Sequence, residues 1–185
     1  MSVIVYCGWI PFESWLTSNR LGGPLQYPNS YGAIMGAFFM YSLFRLVHTS
    51  SPKENILLAI STFSFMVNLL LSNSTGAIGV TILVFLLSLF FVQGEKQYFT
   101  MLLFLLNSGL ALCVYLLKDY TLIMIISFFT LAFLSIYTAE KIKRLNFVKL
   151  EKISSWMIPT ILLFVSACLV WFFKLHKQPT AIERI

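Results

Sequence analysis

Six apolar runs, each bounded by a polar break, leave this chain few folds to choose from. They cover residues 31–47, 56–71, 76–92, 98–117, 121–137 and 156–173. A helix needs about 20 predominantly apolar residues to cross a bilayer, with a range of about 17–25, and the runs are of that order. Between them stand His48-Thr49-Ser50-Ser51-Pro52-Lys53-Glu54-Asn55, then Ser72-Asn73-Ser74-Thr75, Gln93-Gly94-Glu95-Lys96-Gln97, the tight Lys118-Asp119-Tyr120, and a longer basic stretch over 138–155. The expected fold is all-α, a polytopic transmembrane bundle of about six helices. Residues 1–30 form an external or interfacial segment, 31–173 the bundle with a basic loop at 138–155, and 174–185 an external tail. Composition agrees: 58% of the residues are hydrophobic and 11% charged, whereas a soluble domain carries roughly 25% charge. So few charges do not cover a core in water, and the bilayer is the expected partner.

The charges also orient the chain. Six spans place both termini on one side. The opposite side collects Arg45, Lys53, Lys96, Lys141, Lys143, Arg144, Lys149 and Lys152, against Arg20, Lys118, Lys174, Lys177 and Arg184 on the terminal side. The positive-inside rule then puts 138–155 in the cytoplasm, where it touches anionic lipid, and both termini outside. A net charge of +6 elsewhere signals nucleic acid; here the basic residues sit in short loops, so no nucleic-acid partner is expected. The apolar start at Met1–Ile10 lacks a positive leader region and a small-x-small cleavage site. It reads as the outer end of a helix or as an interfacial segment anchored by Trp9 and Trp15.

Little in the chain looks like a metal or cofactor site. Cys7, Cys113 and Cys168 are far apart, without C-x-x-C spacing. His48 and His176 fall on opposite faces of the expected bundle. There is no Ser/His/Asp set, no pair of carboxylates within the spans and no phosphate-cradling glycine loop, so neither metal nor cofactor is expected. Asn68 and Asn107 lie inside apolar runs, where each needs a partner; they either bond across helices or line a substrate path. Gly32 and Gly36 form a G-x-x-x-G pair that admits a neighbouring helix closely, within the bundle or in an oligomer.

The most informative stretch is Arg20-Leu21-Gly22-Gly23-Pro24-Leu25-Gln26-Tyr27-Pro28-Asn29-Ser30-Tyr31-Gly32. Gly22-Gly23-Pro24 and Pro28-Asn29-Ser30 are turn signals, and Asn29 or Ser30 is expected to cap the first span. The turns hold Arg20 at headgroup level, where a guanidinium either grips a phosphate through two parallel hydrogen bonds or only meets lipid headgroups. This stretch, with Ala33, resembles the signature loop of the bacterial O-antigen ligase/polymerase family: an arginine, a small-residue stretch, an aromatic or Asn, then Pro-Asn opening a transmembrane helix. Ser74-Thr75-Gly76-Ala77 is similar to that family's Ser-Arg-Gly motif, with Thr75 where the family has arginine. Pro179-Thr180-Ala181-Ile182-Glu183-Arg184-Ile185 is similar to the opening of its large external loop.

The resemblance implies a bacterial cytoplasmic-membrane protein that transfers a glycan from a polyprenyl pyrophosphate at the outer face, without a metal. Arg20, Tyr27 and Asn29 are the implied substrate-binding residues, and Arg20 is implied to hold the pyrophosphate. The resemblance also implies missing helices and a missing catalytic loop, so the chain is expected to be a partial or short member that is inactive alone. A small non-enzymatic membrane subunit or assembly partner, forming homo- or hetero-oligomers through its helices, is the other expectation. A transporter is weakened by the few ionisable residues in mid-span.

Overall fold

A computed structural model describes residues 5–6, 15–17, 20–92, 95–117 and 120–143. These form an all-α bundle of five helices, preceded by a two-stranded antiparallel pair, β1 (Leu16–Thr17) and β2 (Arg20–Leu21), and a 3-10 turn (Gly23–Leu25). The helices are α1 (Pro28–His48), α2 (Pro52–Leu71), α3 (Thr75–Leu89), α4 (Glu95–Leu116) and α5 (Thr121–Lys143). The expected sixth span at 156–173 and the tail at 174–185 lie outside the described residues.

Three of these helices are long and apolar enough to cross a membrane: Pro28–His48, Pro52–Leu71 and Lys96–Leu116. This is a membrane protein by the length and composition of its helices.

Local chemistry explains the boundaries. Proline opens both α1 and α2, where its fixed φ and missing N–H suit the first helical position. Ser51, before Pro52, is extended at φ −73°, ψ 124°, as steric contact with the proline ring requires; α1 has already ended at His48, where Thr49 is extended at φ −77°, ψ 141°. Asn73 then takes a left-handed φ of 48°, and Ser74 caps α3 by accepting a hydrogen bond from the Ala77 amide at 3.3 Å. Two expectations change at this level. α3 ends at Leu89 rather than 92, with Phe90 and Phe91 in the following turn. α5 continues to Lys143, so residues 138–143, expected as loop, extend the helix.

Short connections make consecutive helices antiparallel. The N-termini of α1, α3 and α5 therefore share one end with the C-termini of α2 and α4. In the bundle α2 packs against α1, α4 and α5, while α3 leans chiefly on α1. Phe39, Leu43, Phe63, Leu69 and Leu103 are fully buried where these helices meet. The Phe104 ring of α4 lies 3.8 Å from Phe85 of α3 and 5.7 Å from Phe39 of α1, centroid to centroid. Val80 and Leu83 on α3 and Phe129 and Phe133 on α5 are as apolar as the core yet exposed, the arrangement lipid permits and water does not.

Three pairs of polar side chains inside the bundle are hydrogen-bonded across helices. Thr62 donates to Ser42 at 3.1 Å, Tyr31 to Asn68 Oδ1 at 3.0 Å and Ser135 to Asn107 Oδ1 at 3.1 Å. The carboxamide nitrogens of Asn68 and Asn107 donate to the carbonyls of Ser64 and Leu103 one turn earlier. A double-mutant cycle of Asn107→Ala and Ser135→Ala, read by unfolding in micelles, is expected to give a coupling of about 0.6–1.7 kcal/mol. Additive effects would mean that this bond contributes nothing.

Candidate functional site

The site is built at the end of the bundle where α1 and α3 begin. β2 carries Arg20 and Leu21. Leu21 is fully buried against the bundle and anchors the strand there. The Gly22 amide donates to the Trp15 carbonyl at 2.7 Å, which completes the small hairpin. The chain then has to reverse within a few residues to enter α1. Gly23 makes that possible with φ +55°. A Cβ there would lie 2.5 Å from the Tyr31 ring, so the ring packs where a side chain would stand. The 3-10 turn closes with the Gln26 amide on the Gly23 carbonyl at 3.0 Å, and Pro28 starts α1.

This reversal folds Arg20 back over two helix ends. Its Nη2 donates to Asn29 Oδ1 at 2.8 Å and its Nε to the Ser72 carbonyl at 3.1 Å. One guanidinium therefore ties the first turn of α1 to the turn between α2 and α3. Both acceptors are neutral. The acidic residues whose backbone is described, Glu54, Glu95 and Glu140, belong by chain direction to the opposite end. There Glu54 lies 3.8 Å from Arg45 and accepts from Thr49 at 2.6 Å. The Arg20 charge is thus uncompensated among the described residues. The first turns of α1 and α3 carry no acidic side chain either, so the partial positive charge of each helix N-terminus adds to it.

The sequence-predicted residues are placed as follows. Arg20 and Asn29 are hydrogen-bonded partners. Tyr27 stands next to them at the rim, 58% exposed. It occupies the N-cap position of α1 without a side-chain cap bond. Capping by Asn29 or Ser30 is therefore not what the structure has: Pro28 starts the helix one residue earlier, and the Asn29 carboxamide turns to Arg20 instead. Gly32 and Gly36 face α3. A Cβ on Gly32 would approach Ser72 Oγ to 2.6 Å, and one on Gly36 would collide with Thr81 Oγ1. The G-x-x-x-G surface is thus used within the chain. Thr75 is exposed at the start of α3.

Sequence reasoning missed Ser72 and Tyr31. Ser72 contributes a backbone carbonyl, which has no signature in sequence. Tyr31 is a polar-tipped aromatic near the start of an apolar run, and a buried asparagine such as Asn68 needs such a partner; that need was the available signal.

Below this end a groove of about 530 Å³ runs between α1 and α3. Asn29, Ser74 and Thr75 are polar residues at its Arg20 end, and Ala33, Ala37, Met40, Val80 and Val84 line it further down.

The close approach of α1 and α3 depends on the absent side chain at position 36. Gly36→Ala is expected to destabilise the protein by about 1–3 kcal/mol through overpacking. Thr81→Ala in the same chain should restore part of that loss, as read from unfolding midpoints in micelles. No protein-family model matches this chain, and neither a curated protein nor a solved structure matches it.

Proposed function

We propose that the chain is a multi-pass membrane protein whose Arg20 end binds the phosphate group of a lipid-linked substrate. The observation that carries this reading is the guanidinium held by two neutral acceptors above the N-termini of α1 and α3. Arginine presents five donors in a planar fork; two are engaged by Asn29 and Ser72, which aim the group without neutralising it. Helix N-termini favour anions by the direction of their free N–H groups and their dipole.

The resemblance to the O-antigen ligase/polymerase signature gives the substrate class: a glycan on a polyprenyl pyrophosphate, transferred to an acceptor sugar. Fixed positive charge beside a departing pyrophosphate stabilises the negative charge that develops on it. The alternation of the helices, with Arg45, Lys53, Lys96, Lys141 and Lys143 at the opposite end, supports placing that end in the cytoplasm and Arg20 outside in a bacterial cytoplasmic membrane.

The test uses the full chain in phosphatidylcholine nanodiscs, with binding of a polyprenyl pyrophosphate and of the matching polyprenol read by native mass spectrometry. The pyrophosphate is expected to bind and the alcohol not. A charge-assisted hydrogen bond contributes about 1.5–3 kcal/mol, so Arg20→Ala should lose roughly 10–150-fold. Arg20→Lys, lacking the planar fork, should retain part of the affinity. Equal binding of both lipids, or an unaffected Arg20→Ala variant, would overturn the assignment. With a glycan-bearing polyprenyl pyrophosphate as donor, binding without transfer of the glycan to an added acceptor sugar would make the chain a non-enzymatic lipid-binding subunit.

A further inference from the structure

We infer that the groove between α1 and α3 seats a single hydrocarbon chain of the phosphate-bearing lipid, on the side of the membrane where Arg20 lies. The inference rests on the reading of Arg20 as the anchor of the phosphate.

The groove's depth is the first argument. Along α1 it is lined from Asn29 to Met40. At 1.5 Å per residue these eleven steps span about 16 Å. One leaflet is half of a hydrocarbon core about 30 Å thick, or about 15 Å. The groove therefore begins at the polar end and stops near mid-membrane. A partner helix would need a track along the whole of α1, and Tyr41–His48 supplies no part of the lining. A leaflet-deep chain fits where a spanning helix does not.

Polarity falls along the groove as well. The walls beyond the mouth are mostly apolar, with Val80 and Val84 exposed at 60% and 45%. An apolar cleft of this kind does not hold water; in a membrane it fills with hydrocarbon. At its upper end Asn29 belongs to the groove and also accepts from Arg20 at 2.8 Å. An occupant whose tail lies along Ala33, Ala37 and Val80 has its head beside a guanidinium that has no acidic partner among the described residues, which favours a negative group there.

The groove is also preformed. Gly32 and Gly36 bring α1 against Ser72, Ala77 and Thr81. That contact fixes the spacing of the two walls, so seating a chain does not require the helices to part. The small side chains of Ala33 and Ala37 leave the space open.

The experiment photolabels the full chain in phosphatidylcholine vesicles with hexadecyl phosphate bearing a mid-chain diazirine. Hexadecanol with the same diazirine is the comparison, and labelled peptides are mapped by mass spectrometry. The phosphate probe is expected to label residues 33–40 of α1 and 80–84 of α3, and the alcohol to label them far less. Ala37→Leu and Val80→Phe fill the groove from opposite walls, and each should lower labelling about tenfold by overpacking. Val84→Ala, which only widens it, should not. Arg20→Ala should bring the phosphate probe down to the level of the alcohol.

If Arg20→Ala abolishes labelling but the bulky variants leave it unchanged, the phosphate anchor stands and the groove is not the seat. Equal labelling of the groove by both probes, insensitive to Arg20→Ala, would mean ordinary lipid contact and would overturn both readings. The peptide map of the unsubstituted protein decides the matter even where a bulky variant fails to fold: labels confined to the outer face of α5 would overturn the inference.

Discussion

A bilayer offers no hydrogen bonds, and the arrangement of this chain follows from that constraint. Every backbone amide within the hydrocarbon must be paired along its own helix, so the apolar runs become helices. Polar side chains within them gain from a partner on a neighbour or on the preceding turn, and among the described residues the buried Ser108 hydroxyl is one that has none. Tyr31 with Asn68, Ser42 with Thr62 and Asn107 with Ser135 are paired in this way between α1 and α2 and between α4 and α5. These bonds are few but directional, and lipid-soluble surfaces supply little direction of their own. They fix which faces of otherwise uniformly apolar helices meet.

The candidate site obeys the same rule at the boundary where water returns. The Tyr31 ring takes the space that a side chain at Gly23 would need, and its hydroxyl reaches Asn68 in the bundle. The turn that carries Arg20 therefore rests on a residue that is itself bonded to the core. Ser72, whose carbonyl accepts from Arg20, packs its hydroxyl beside Gly32. Arg20, the G-x-x-x-G contact and the buried asparagine thus form one connected assembly.

The helices themselves were legible in the sequence because each apolar run approaches the length a spanning helix needs. Their ends were legible where chemistry is local, as at Pro28, Pro52 and Ser74. The pairing of faces was not. Val80 and Leu83 face outward while Leu86 and Leu89, a turn or two further on, are buried, and no difference in residue type separates them. The Arg20–Asn29 pair falls within one recognisable stretch of chain. The Ser72 carbonyl, 52 residues from Arg20, does not, because a backbone acceptor leaves no trace in composition or spacing.

The length of α3 carries a consequence for the membrane around it. Its 15 residues cover about 22 Å, while the neighbouring α1 with 21 residues matches a hydrocarbon core about 30 Å thick. In the spanning arrangement proposed here, the leaflet at the Leu89 end of α3, away from Arg20, is pinched by several ångströms while that beside α1 is not. Such mismatch costs a fraction of a kcal/mol per ångström. In that arrangement the protein is a local wedge in membrane thickness, drawing shorter or more disordered lipid tails to one flank.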